Sequence, residues 1–208
     1  LGVEQWGSPD QATISLAWTR FVLAWLEPRS GISSLTGQCD GELLYRAVNG
    51  SPQSISGHVS AVGEVRDEYF ELSETPLELD FNWDRDGLRL NGSARSRTGE
   101  KLHAKLTSSG PPDWNWPIAG LTAELTWEQL DLTRFNRFLG DGRVEGQSEG
   151  QVSLDFTGEN LAKARIRISA QGRMLQGEAE LGPNRLLADL RWDAEGFLCE
   201  ASLEGKRG

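Results

Sequence analysis

The sequence predicts an all-β chain: an elongated, curled antiparallel sheet with an apolar groove, built from two 109-residue repeats and carrying one or two short helices. Three observations lead there. Apolar and polar residues alternate strictly in many short segments, and in a strand successive side chains point to opposite faces. Turn-forming dipeptides fall between these segments. The chain also matches itself at one constant offset of 109 residues, without a gap.

Taken in chain order, Ile14, Leu16 and Trp18 alternate with polar neighbours and predict a strand. The run Phe21 to Leu26 is uniformly apolar and stops before Pro28, which predicts a short helix or turn against the sheet. Leu77, Leu79, Phe81 and Trp83 alternate with Glu78, Asp80, Asn82 and Asp84; Leu102, Ala104 and Leu106 follow the same rule. Leu121, Ala123, Leu125 and Trp127 form the next strand. The spacing then turns helical at Leu132, Phe135, Phe138 and Leu139, with Asp131 placed as N-cap and Gly140 as the stop. Strand periodicity resumes with Val152, Leu154 and Phe156, then Ala164, Ile166, Ile168 and Ala170, then Leu186, Ala188, Leu190 and Trp192. Turns are expected at Asn49-Gly50, Asp86-Gly87, Asn91-Gly92, Thr98-Gly99, Gln171-Gly172 and Glu195-Gly196, and beside Gly57-His58. The pattern totals about 13 strands of about 6 to 10 residues each.

The internal match superposes Leu16 on Leu125, Trp18 on Trp127, Gly41 on Gly150, Asp80 on Asp189, Trp83 on Trp192 and Gly87 on Gly196. A repeat this long, made of short strands, predicts units that stack edge to edge. The expected division is residues 1–109 and 110–208, with the sheet running through the boundary because Leu102 to Leu106 reads as strand. Trp114 and Trp116, lying between the copies, are expected to form a seam.

Composition removes several classes of function. Thirty-one acidic residues against 21 basic ones give a net charge of −10, which repels nucleic acid and anionic membrane surfaces. The longest apolar run, Phe21 to Leu26, falls far short of the roughly 20 residues of a membrane-spanning helix. Cys39 and Cys199 form no paired motif and are expected to be buried free thiols; with only His58 and His103 besides, no metal site is expected. Neither histidine sits in a nucleophile–base motif, so both are read as surface residues, the chain is not expected to be an enzyme, and no cofactor is implied. Asp84-Arg-Asp86-Gly87 resembles the start of a calcium loop, but Arg95 stands where the closing glutamate belongs, so a hairpin tip is expected. The chain starts at Leu1 and is expected to be a segment of a longer protein.

A sheet with one apolar face must bury that face on another layer, close into a barrel, or curl around something apolar. Thirteen strands side by side would make an apolar trough about 60 Å long. The residues expected to line it are Leu16, Trp18, Leu77, Leu79, Phe81, Trp83, Leu125, Trp127, Val152, Leu154, Phe156, Ile166, Ile168, Leu190 and Trp192.

The segment Leu121-Thr-Ala-Glu-Leu-Thr-Trp-Glu-Gln-Leu-Asp-Leu, then Phe135 and Phe138-Leu139, then Gly146-Gln-Ser-Glu-Gly150-Gln-Val-Ser-Leu-Asp-Phe-Thr-Gly158, resembles the TamB family and the wider AsmA-like group of bacterial envelope proteins. Those chains repeat a strand, a short "DL…L" segment and a glycine-spaced strand. The resemblance implies a β-taco with an apolar concave face, located in the periplasm as part of an inner-membrane-anchored protein that reaches the outer membrane. It implies phospholipid acyl chains as cargo and an outer-membrane barrel, TamA or similar, as partner through other parts of the chain. The same resemblance allows a scaffold for outer-membrane protein or autotransporter assembly by β-augmentation. A different class stays open beside it: a tandem β-sandwich that binds carbohydrate or protein ligands through its tryptophans.

Overall fold

A computed structural model describes residues 2–7, 10–26, 34–66, 71–96, 99–110, 120–138, 142–158, 160–176 and 179–205. Twelve strands run in chain order: β1 (Gly2–Trp6), β2 (Gln11–Val22), β3 (Ser34–Val48), β4 (Ser51–Arg66), β5 (Glu71–Asp84), β6 (Gly87–Arg95), β7 (Lys101–Thr107), β8 (Thr122–Asp131), β9 (Gly142–Thr157), β10 (Asn160–Gln176), β11 (Ala179–Asp193) and β12 (Gly196–Gly205). Each pairs antiparallel with its sequence neighbours, so the order across the sheet is the order along the chain, with β1 and β12 at the edges. The sheet is curled but not closed. Among the described residues it is a single sheet, so the packed pair of sheets that a tandem sandwich requires is not formed. The accessible surface is 14098 Å² for 22.9 kDa. A compact monomer of that mass exposes about 9,600 Å². The excess is what an elongated single layer produces.

The strands number 12 and reach 17 residues, fewer and longer than the alternation predicts. Asn91-Gly92 lies inside β6 and Gln171-Gly172 inside β10, where neighbouring strands pair on both sides and hold the backbone extended. Gly57-His58 is likewise mid-strand, opposite Leu43 and Glu42. Asn49-Gly50 is a true turn, with φ of 50° and 74°, the left-handed pair that a two-residue hairpin needs. At the β5–β6 and β11–β12 hairpins, the Asp86 and Glu195 amides donate to Oδ1 of Asp84 and Asp193 at 2.9 and 2.8 Å. The expected calcium-loop start is thus a hairpin tip. The two helical stretches are short 3-10 helices, Leu23–Leu26 and Leu132–Phe138; Phe21 and Val22 belong to β2. Asp131 caps the second, accepting the Thr133 amide at 2.9 Å. Pro28, Thr98, Trp114, Trp116, Leu139 and Gly140 lie outside the described residues.

The 109-residue offset recurs in the backbone. It carries β2–β6 onto β8–β12 and one 3-10 helix onto the other. Arg20 and Gln129 both take positive φ, 51° and 55°, at the register shifts Trp18/Phe21 and Trp127/Leu130. The shifts at Gly63/Val65 and Gly172/Met174 correspond in the same way. A Cβ on Gly63 would lie 2.1 Å from the Thr36 carbonyl oxygen, and one on Gly172 the same 2.1 Å from that of Glu145. No side chain fits between these strands at either place.

The copies join without a break through the β7–β8 pairing. One buried ion pair reinforces that junction. Glu100, 5% exposed, receives Arg134 at 2.9 Å (Nε to Oε1) and 2.6 Å (Nη2 to Oε2). The Asp131 amide donates to the same carboxylate at 3.0 Å. The Arg134 hydrogen bonds dominate and pull the Glu100 pKa down to about 2. A depressed carboxylate pKa contributes stability above the unfolded value, and that contribution is lost as pH falls toward the folded one. Glu100→Gln is therefore expected to lower unfolding free energy at pH 7 by up to about 3 kcal/mol. In urea melts the gap to the parent chain should close between pH 4.5 and about 2; a gap independent of pH would contradict the assignment.

Candidate functional site

Cross-strand partners share a face, so register alone assembles the apolar surface. One row crosses eleven strands: Leu16, Leu43, Gly57, Phe81, Leu90, Leu106, Ala123, Leu154, Ala164, Trp192 and Phe197. Beside it run Trp18, Gly41, Val59, Leu79, Gly92, Ala104, Leu125, Val152, Ile166, Leu190 and Cys199. A third row holds Phe21, Cys39, Ala61, Leu77, Ala94, Leu102, Trp127, Gly150, Ile168, Ala188 and Ala201. Trp83 belongs to a shorter row with Ile14, Tyr45, Ile55 and Leu88, and Phe156 pairs with Leu161. All fifteen residues expected to line the groove thus fall on one face.

The face is only partly covered. Its buried members, Leu35, Cys39, Ala47, Ile55 and Ala61, are small or overlain by larger neighbours, and no large side chain is fully buried. Leu77, Leu125 and Trp192 stay 37–41% exposed, and Phe197 and Leu203 on β12 reach 65% and 67%. Twelve strands at about 4.8 Å spacing make this surface about 53 Å wide.

Two indoles lie flat on it in equivalent poses. A Cβ on Gly41 would fall 2.3 Å from Trp18 Cζ2, and one on Gly150 2.2 Å from Trp127 Cζ2. Each ring therefore covers the cross-strand glycine, an aromatic-over-glycine device known to fix register. The Trp18 N–H donates to Cys39 Sγ at 3.4 Å and the Trp127 N–H to Ser148 Oγ at 3.2 Å; Trp83 reaches the Gly110 carbonyl at 3.2 Å. Each indole keeps its polar atom satisfied while its ring stays on the apolar side.

No protein-family model, curated protein or solved structure matches the chain.

Alternation alone missed Leu43, Tyr45, Ile55 and Val59. In β4 glycine, alanine and serine dilute the period, and only pairing with β3 and β5 places these residues. Cys39 is buried as expected, but Cys199 is exposed because no described strand covers β12 on its outer side. Among the described residues, no helix is long and apolar enough to cross a membrane, and no group of three His, Cys, Asp or Glu side chains is placed to hold a metal ion.

The opposite face is polar, and its charge differs between the copies. In the first, His58 sits between two carboxylates, Nδ1 2.8 Å from Asp80 and Nε2 3.2 Å from Glu78. In the second, the equivalent Asp189 is met by Arg165 at 2.6 Å, Arg191 at 3.0 Å and Arg167 at 3.6 Å. Those hydrogen bonds hold the Asp189 carboxyl far below the usual range. Shallow depressions of about 550 and 520 Å³ lie over these two clusters.

Two expectations follow from this geometry. Gly150→Ala must displace the Trp127 ring and should cost about 1–3 kcal/mol by urea denaturation. Gly92→Ala, whose Cβ would meet only ordinary contacts at 3.5 Å or more, should stay within about 0.5 kcal/mol. Equal losses would mean that the indole does not lie over the glycine. The Asp80 hydrogen bond, with the charges of Asp80, Glu78 and Glu42, raises the His58 pKa above 6.5. Proton-NMR titration should show that elevation and its loss in Asp80→Asn; an unchanged midpoint in the variant would refute the contact.

Proposed function

We propose that this chain is a periplasmic segment of a TamB/AsmA-like protein whose apolar face shields phospholipid acyl chains in transit between membranes. The observation that carries the reading is the set of continuous apolar rows crossing the sheet with no second protein layer over them. Such a surface stays stable in water when something apolar covers it. Each buried methylene contributes about 0.8 kcal/mol, so acyl chains supply large, non-directional affinity without a headgroup site. An acyl chain spans half of the roughly 30 Å hydrocarbon core of a bilayer. Three chains end to end therefore match the width of the sheet. The resemblance of Leu121–Gly158 to the TamB pattern points the same way.

The test places a photoreactive residue at Phe81 or Phe156 on the apolar face, and at Asn82 or Asp155 on the polar face, in the purified chain mixed with phospholipid vesicles and in cells expressing the parent protein. Lipid adducts at the first pair alone are expected. Adducts on both faces, protein-only adducts, or none at Phe81 and Phe156 would reject the lipid role and leave a scaffold for client strands as the reading to pursue.

A further inference from the structure

The internal repeat defines the free edge of the sheet. The 109-residue offset carries β6 onto β12, and in the first copy β7 occupies the far side of β6. In β6 the even-numbered residues turn their backbone groups toward β7: the Leu88 carbonyl accepts the Ser108 amide, and the Ser96 amide donates to the Glu100 carbonyl, both at 2.9 Å. In an antiparallel strand the N–H and C=O of one residue point the same way. The equivalent positions in β12 are Cys199, Ala201 and Leu203, so these aim their backbone groups away from β11, where no described strand lies.

The side chains on that edge define what would fit. Across the β6–β7 seam, Asn91 faces Lys105 and Arg95 faces Lys101. The β12 residues standing in place of Asn91 and Arg95 are Glu200 and Glu204, both exposed and on the polar face with Asp189 and Arg185. On the apolar side, Cys199, Ala201 and Leu203 replace Leu90, Gly92 and Ala94, which face Leu106, Ala104 and Leu102. A strand with lysines at the positions of Lys101 and Lys105 therefore meets two carboxylates at β12, where β7 itself meets an amide and a guanidinium. A second copy of this chain fits worse. Its β1 holds against β2 the register that β7 holds against β8, so its Glu4 would stand directly opposite Glu200. Like charges directly opposite destabilise a pair of strands.

We infer that the outer edge of β12 is a receptor for an extended partner segment of alternating apolar and basic residues, bound by strand addition. The edge is a surface separate from the apolar face, and this assignment stands whether or not that face carries lipid. The probe is a peptide with the sequence of Gly99–Ser109, added to the chain of residues 1–208 and read by amide hydrogen exchange. It should slow exchange at Cys199, Ala201 and Leu203. A peptide with Lys101→Glu and Lys105→Glu should bind about tenfold more weakly, since two cross-strand pairs turn from attractive to repulsive. The chain variant carrying Glu200→Lys and Glu204→Lys should reverse that preference. Ala201→Pro removes one edge amide without touching the β11 ladder and should abolish the protection. No protection at saturating peptide, equal binding of both peptides, or protection at β1 instead would overturn the proposal. Self-association of the chain that protects the same amides would overturn it in favour of a second copy.

Discussion

A single-layer sheet has partners for its backbone but none for half of its side chains. That constraint governs the molecule. Every interior strand is satisfied in the plane by two neighbours, so the hydrogen-bond network does not require a second layer. The apolar rows do, and within the described chain they find cover only in one another. The result is a surface whose large residues are half-buried at best, with small ones sheltered beneath indole and phenyl rings.

The repeat works within the same limit. Where two strands cross most closely, at Gly63 against Thr36 and at Gly172 against Glu145, the space leaves no room for a Cβ. Where a ring must lie down, at Trp18 and Trp127, the facing residue is again glycine. These positions set backbone path and register, and they recur at the same offset. The polar face is free of that requirement, and its residues diverge: His58 between carboxylates in one copy, Asp189 among arginines in the other. Exposed pairs of this kind contribute little to stability, so the sheet tolerates either arrangement. The Glu100–Arg134 pair differs because its carboxylate is buried; it ties the β6–β7 loop to the second 3-10 helix across the junction of the copies.

One further asymmetry bears on how the sheet meets other molecules. Its faces interact through side chains, whereas its edges interact through the backbone. Cover for the apolar face needs only a non-polar occupant of sufficient area, which suits acyl chains of any identity. Cover for an edge needs an extended segment in one register, and there charge opposite charge decides which segment fits. The proposed lipid role and the proposed strand receptor thus use separate physics on separate surfaces.

The amino-acid sequence by itself determined the strand content, the identity of the apolar face and the repeat. Alternation at Leu77–Trp83, Leu121–Trp127 and Val152–Phe156 is local and has period two, so it survives without any knowledge of neighbours. Tertiary structure decided what depends on pairing. Asn91-Gly92 and Gln171-Gly172 look like turns in isolation, yet hydrogen bonding from both sides keeps them extended. Leu43, Ile55 and Val59 join the apolar rows only because registers with β3, β4 and β5 place them there. Cys39 and Cys199 have the same composition-level expectation and opposite burial, because one lies mid-sheet and the other at an edge. A residue's own preferences are written beside it in the chain, whereas its cover comes from strands distant in sequence.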